Sequence, residues 1–273
     1  MAFYIMLLLS LGAGVGATLA ADAFGGLAWL WVLPLSCIGA FLGWLILLAL
    51  VIFIMAWCVD MEKPQEKDSK FYRWVLHMAI QIVFPTIRWR VHTRGLELAP
   101  KCKRVMLVCN HINDIDPGVL MRYFPQYELA FISKRENEKK PVIGPFLRKL
   151  MCQSVNREND REALKTILNC IRLLKEDVVS IGVFPEGYVS RDHKLQPFRS
   201  GVFKVAQKAQ VPIVVCTLQN TYHALPNLLR MKATDMQLHL VGVIQPEDYA
   251  GMSTIDLGNR IYKMMDEDLN PGG

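Results

Sequence analysis

The chain has 273 residues, 52% hydrophobic and 10% aromatic, with 31 Lys and Arg against 25 Asp and Glu. This is ample material for a full-sized core, and it excludes a disordered chain and a disulfide miniprotein. The net charge of +6 hides a split: residues 1–59 carry one charge, Asp22, and the remainder holds 31 cations and 24 anions. An uncharged N-terminal fifth joined to a basic remainder reads as a membrane anchor carrying a soluble domain.

A bilayer core about 30 Å thick takes about 20 helical residues. Met1 to Leu19 is one such stretch, and Leu27 to Cys58 is a second with Pro34 near its start. The second exceeds one span, which puts its helix at about residues 36–58. The short link 20–26 suits a helical hairpin. Lys63, Lys67, Lys70 and Arg73 closely follow the second span, and the link has no cation. The positive-inside rule therefore places the rest of the chain on the cytoplasmic side of the membrane. The alternative is a signal peptide over residues 1–20, whose n-region would lack any Lys or Arg.

Residues 60–70 form the one linker-like segment. Residues 71–90 mix aromatics and aliphatics with Arg73, Arg88 and Arg90, the composition of an interfacial segment; the alternative is a core helix followed by a strand. The predicted organisation is an anchor of two transmembrane helices over 1–59, a linker and interfacial helix over 60–90, and a cytosolic domain over 91–273. Seven cysteines, with no CxxC pair, argue for reduced thiols and no zinc site.

In the soluble part, apolar β-rich runs fall at 87–92, 104–109, 128–133, 178–184, 211–217 and 236–244. Helical periodicity falls at 160–175, 198–210 and 253–269. Short apolar strands alternating with helices predict an α/β domain with a mixed, largely buried sheet flanked by helices. In such sheets the chemistry sits on loops beyond strand ends.

Two loops and one arginine are candidates. Asn110 and His111 follow the 104–109 run, and Asp116 comes five residues after the histidine. A carboxylate can hold one imidazole nitrogen protonated and leave the other to accept a proton. Five helical residues would turn the two side chains about 140° apart. His111 is therefore expected in the turn, with a helix starting at Asp116-Pro117. Alternatively, Asp116 is an N-cap and His111 a plain loop histidine. The 178–184 run ends in Phe184-Pro185-Glu186-Gly187, where a stiff residue precedes the carboxylate and a permissive one follows it. That holds Glu186 over a site; the alternative is a surface turn. Arg157, before the 160–175 helix, could grip a phosphate or be an ordinary surface residue.

Together these residues resemble the glycerolipid acyltransferase family that includes the 1-acyl-glycerol-3-phosphate acyltransferases. Asn110-His111 with Asp116 is similar to its NHxxxxD signature, and Phe184 to Gly187 to its FPEG signature. Leu195, Phe198, Gly201 and Phe203, then Val211-Pro212-Ile213, follow the next two blocks in order. Arg157 falls at the second-block arginine. There are departures: Asn113 stands where Ser is usual, and Tyr188-Val189 replace Thr-Arg, so that Arg191 or Arg199 is left to take over a phosphate contact.

The resemblance implies a glycerol-3-phosphate acyltransferase-like fold and transfer of an acyl group to a lysophospholipid hydroxyl. His111 would be the base, and Asp116 its orienting carboxylate. Asn110, Glu186, Gly187, Arg157 and Arg191 would bind substrate. No bound cofactor or metal is implied, and acyl-coenzyme A or acyl carrier protein would be the co-substrate. The partners are membrane lipid and the acyl donor. A hydrolase using Cys109 beside His111 is the rival. Nucleic-acid binding is not expected from so mildly basic a domain. The imidazole and the glutamate are expected to arrive from two separate sheet edges and converge on a pocket open to lipid.

Overall fold

The computed structural model describes residues 1–156 and 159–272. Helices α1 (Ala2–Ala20) and α2 (Trp29–Trp57) lie against each other as a hairpin, joined through a 3-10 turn at Ala23–Gly25. Gly14 permits the close approach, because a Cβ there would collide with Cys37. The second helix begins at Trp29 rather than near residue 36. Pro34 is only its sixth residue, so the ring costs one early hydrogen bond and does not stop the helix. Both helices are long and apolar enough to cross a membrane.

Helix α3 (Lys70–Thr86) starts at a Ser69 cap, whose hydroxyl accepts from the Tyr72 amide, and leads into strand β1 (Trp89–Arg94). It buries Val75, Ala79, Ile80, Ile82 and Phe84 yet leaves Phe71 and Trp74 exposed. Residues 71–90 are thus a packed helix followed by a strand, with apolar side chains still facing out.

Next come β2 (Met106–Cys109), α4 (Asp116–Tyr123), β3 (Leu129–Lys134), α5 (Ile143–Lys149), β4 (Gln153–Val155), α6 (Asp160–Lys175) and β5 (Ser180–Val183). Then follow α7 (Lys204–Ala209), β6 (Ile213–Gln219), α8 (Ala224–Leu229), β7 (Thr234–Ile244) and α9 (Thr254–Leu269). Strand β4 escapes the sequence pattern because it is only three residues long. The helix expected over 198–210 is shorter, with a 3-10 turn at Ser200–Phe203 ahead of α7.

Among the described residues the strands form one mixed sheet in the order β1-β7-β6-β2-β5-β3-β4. Strands β6, β2, β5, β3 and β4 are mutually parallel, and β7 with β1 runs the other way. Side chains alternate between faces along a strand. Met106 and Val108 of β2 therefore join Leu173, Val205, Leu257 and Ile261 on one face. Leu107 and Cys109 join Ile80, Val119 and Leu120 on the other. Burial on both faces explains the near-continuous apolar strands. The C-terminal ends of five parallel strands then share one edge of the sheet.

A buried ion pair ties α3 to this body. Arg73 donates to both carboxylate oxygens of Asp68, at 3.1 and 2.6 Å, and to the carbonyls of Leu129 and Leu150. Both side chains are almost fully buried, so loss of Arg73 leaves the buried carboxylate with Lys70 alone, at 3.5 Å. Arg73→Met should lower stability by about 3–5 kcal/mol. Lys263→Met, which breaks an exposed pair with Glu267, should leave it unchanged within about 0.5 kcal/mol. Chemical denaturation in detergent measures both.

Candidate active site

The β2 chain leaves the sheet at Cys109, and Asn110 fixes how it leaves. The Asn110 carboxamide donates to the Leu218 carbonyl at 2.9 Å and accepts from the Leu218 amide at 2.7 Å. Both its polar atoms are committed to clamping β2 against β6. The resemblance implies that Asn110 binds substrate; in this geometry its side chain holds the loop.

Asp116 then folds the 111–116 loop back on itself. Its Oδ2 accepts from His111 Nδ1 at 2.9 Å and from the amides of Ile112 and Asn113, each at 2.8 Å. Its Oδ1 accepts from the Thr221 hydroxyl at 2.6 Å. The carboxylate is fully buried. Asp116 is the first residue of α4, and Ile115 is the cap. Its carboxylate serves the preceding loop, so the N-cap alternative does not describe it. With Nδ1 facing Asp116, Nε2 of His111 has no hydrogen-bond partner among the described residues. The ring keeps its angle by stacking on Phe184, with centroids 4.1 Å apart, and Phe184 stacks in turn on Phe131.

Glu186 comes from the neighbouring strand end. Strands β2 and β5 are paired, so the two loops leave one edge side by side and not from separate edges. Glu186 is 1% exposed. Its Oε1 accepts from the His111 amide at 2.9 Å, while Oε2 has no partner among the described residues. Burial pushes its pKa up to about 7. The amides of His111 and Gln196 oppose the rise, and the carboxylates of Asp116 and Asp192 add to it.

Gly187 has φ +83°, a backbone conformation that favours glycine, and the Arg199 side chain lies close against it. Its amide donates to the Phe184 carbonyl at 3.1 Å. It closes the turn and is not available to an oxyanion. The following loop is bound back to the first through the Ser190 amide, which donates to the His111 carbonyl at 2.8 Å. Ser190 also donates to Asp192 and to the Lys194 carbonyl.

Arg191 is exposed on this loop, with no hydrogen bond or ion pair among the described residues. Arg157 lies outside the described residues. A cavity of about 550 Å³ opens near the ends of β3 and β4, between Ser133, Arg135, Arg148, Ser154, Lys165 and linker residues such as Gln65. None of His111, Asp116 and Glu186 lines it. Cys109 is fully buried, and burial drives its thiol pKa well upward. A thiol held protonated there is a poor nucleophile, which removes the observation behind the hydrolase rival.

Thr221 is the residue that sequence reasoning missed. It sits in a 3-10 turn 105 positions beyond Asp116, and no local pattern marks a threonine that reaches back so far. Only the pairing of β6 with β2 brings it to the carboxylate.

The raised Glu186 pKa carries a pH signature. The neutral form is favoured in the fold, so stability falls as pH rises from 4.5, the ordinary value, to about 7, and stays low above. Glu186→Gln keeps an oxygen for the His111 amide and removes the titration. The variant should match wild type near pH 4.5 and exceed it above pH 7 by on the order of 3 kcal/mol. Unfolding measured across that range checks the sign.

Comparison with known proteins bears on this geometry. Residues 90–219 match the family model described as Acyltransferase. The chain is 30% identical over 159 residues to a chloroplastic 1-acyl-sn-glycerol-3-phosphate acyltransferase of Brassica napus, covering 58% of this chain and 45% of that one. It is 26% identical over 185 residues to the Haemophilus influenzae enzyme of the same name, covering 68% and 76%. The chain spans about half the length of the plant relatives it matches. The crystal structure of the 1-acyl-sn-glycerophosphate acyltransferase of Thermotoga maritima superposes with a TM-score of 0.61 at 22% identity, covering 81% of this chain and 86% of that one. The fold is the mixed α/β fold of that structure. The strand ends that carry His111, Asp116 and Glu186 all lie inside residues 90–219, the part that matches the Acyltransferase model and is similar to the 1-acyl-sn-glycerol-3-phosphate acyltransferases.

Proposed function

We propose that this protein is a membrane-bound O-acyltransferase that moves a fatty acyl group from a thioester to the free hydroxyl of a lysophospholipid, with 1-acyl-glycerol-3-phosphate as acceptor and phosphatidic acid as product. The observation that carries this is the His111–Asp116 pair: an imidazole with Nδ1 tied to a buried carboxylate and Nε2 left for a proton. The names of the relatives support the acceptor.

His111 Nε2 takes the proton of the acceptor hydroxyl as its oxygen bonds to the thioester carbonyl carbon. The carbonyl electrons move onto oxygen and return as the carbon–sulfur bond breaks. The imidazolium, held by Asp116, then gives its proton to the departing thiolate. The acceptor is itself the nucleophile, so no acyl-enzyme is formed. Glu186 holds the His111 backbone and, through it, the loop that meets the polar head of the acceptor. Arg191, together with Arg157, supplies charge for the phosphate. The donor is acyl-coenzyme A or acyl carrier protein. The α1–α2 hairpin anchors the domain at the cytoplasmic face of a membrane, where a lipid acceptor and a soluble donor can both reach His111.

His111→Ala should lower turnover by at least about 10²-fold while the protein stays folded and membrane-bound. Retained turnover would end the assignment. Thr221→Val removes one of four donors to the buried carboxylate, a charged hydrogen bond of about 1.5–3 kcal/mol. It should cut kcat about tenfold or more with KM held, and Thr221→Ser should restore it. In an acceptor panel, 1-acyl-glycerol-3-phosphate should give the highest kcat/KM with one of the two donors.

A further inference from the structure

We propose that the tip made by α8 and the turn after it is a second bilayer contact, which seats the active-site edge of the sheet on an anionic membrane surface. The inference rests on the membrane reading of the α1–α2 hairpin.

The tip is apolar outward. Leu225, Leu229 and Met231 are 60%, 77% and 77% exposed, and Leu228 also faces out. Of the α8 residues only Ala224 is buried. Folding therefore leaves these large side chains in water, which a protein surface rarely does in one cluster. The backbone of the tip is satisfied within itself. The Arg230 amide donates to the carbonyls of Pro226 and Asn227, the Lys232 amide donates to the Asn227 carbonyl, and the Asn227 side chain donates to the Ala233 carbonyl. A turn that uses most of its amides internally strands few polar groups on entering the headgroup region.

The place of the tip identifies its occupant. Helix α3 runs antiparallel to α2: Tyr72 and Val75 pack near Met55 and Ala56, whereas Met78 and Ile82 pack near Phe41, Leu45 and Leu48 of α2 and Ala2 and Met6 of α1. The rest of the hairpin therefore continues past the C-terminal end of α3. Arg88 follows that end, and its carbonyl accepts from the Thr234 amide at 3.1 Å. Thr234 begins the strand that leaves the tip. The tip thus stands where the apolar hairpin departs from the body of the protein. Arg88, Arg90, Arg230 and Lys232 are exposed around it, and the neighbouring Asp235 is engaged by His92 at 3.1 Å. Apolar side chains ringed by cations suit an interface of anionic headgroups over acyl chains. Thr221, which donates to Asp116, lies three residues before α8. Seating the tip would hold the catalytic pair close to the lipid surface.

The test uses the full chain in vesicles of phosphatidylcholine with about 30% phosphatidylglycerol. Cysteines introduced one at a time at Leu35, Leu229 and Glu247, each on a background in which the accessible Cys37, Cys58, Cys102 and Cys152 are replaced by Ser, carry an environment-sensitive fluorophore, and the labelled background serves as blank. Lipids with a quencher high on the acyl chain are then added. Leu35 reports the hairpin. Glu247 lies at the far sheet edge, beside Tyr249, which donates to the Val211 carbonyl. Loss of most emission at positions 35 and 229, with none at 247, supports the proposal. Quenching at 35 but not at 229 overturns it and leaves the anchor standing. A dye at 229 that is shielded from water but not quenched shows a second copy on the tip and also overturns it. No quenching at 35 removes the anchor reading and this inference with it. In parallel, the variant Leu225→Ser with Leu229→Ser and Met231→Ser should lose about tenfold in turnover on vesicle-embedded acceptor and none on a short-chain, water-soluble one. Equal turnover on both acceptors, relative to wild type, overturns the proposal.

Discussion

Everything at the site hangs on one buried carboxylate. Asp116 accepts four hydrogen bonds, from an imidazole, two backbone amides and a threonine hydroxyl. Without it the loop would have two orphaned amides and a histidine with no fixed tautomer. A carboxylate in so dry a place is tolerable only when it is well supplied with hydrogen bonds. The same four bonds that make the burial tolerable therefore set the orientation of the His111 ring. Loop stability and site geometry are a single interaction.

The second carboxylate is handled in the opposite way. Glu186 is as deeply buried but receives an amide on one oxygen only, and its pKa rises to about 7. The adjacent strand ends thus hold one fully satisfied carboxylate and one kept close to neutrality. Pro185 and Gly187 serve this placement by conformation, since the Gly187 amide is already used in the turn.

The sheet explains why both loops reach one place. Five parallel strands end on one edge, and β2 sits between β6 and β5. The β6 side contributes Leu218 to lock Asn110 and Thr221 to lock Asp116; the β5 side contributes Glu186 and the stacked Phe184. The loop that carries His111 is fixed from both sides because β2 has a strand on either flank.

Composition and spacing alone determined much of this protein. The nearly charge-free first fifth and the alternation of short apolar runs with helical periodicity were legible, because each depends on residues close in the chain; the spacing offered His111 and Asp116 as a pair and left the N-cap alternative open. The role of Asn110, the clamp from Thr221, the spent amide of Gly187 and the burial that raises Glu186 were not. Those depend on which strands become neighbours, and strand order is fixed by packing across the whole sheet. A residue 105 positions away becomes a hydrogen-bond partner only when β6 lies beside β2. Local chemistry named the candidate groups, and tertiary contact decided which of their atoms are already bonded and which are left open.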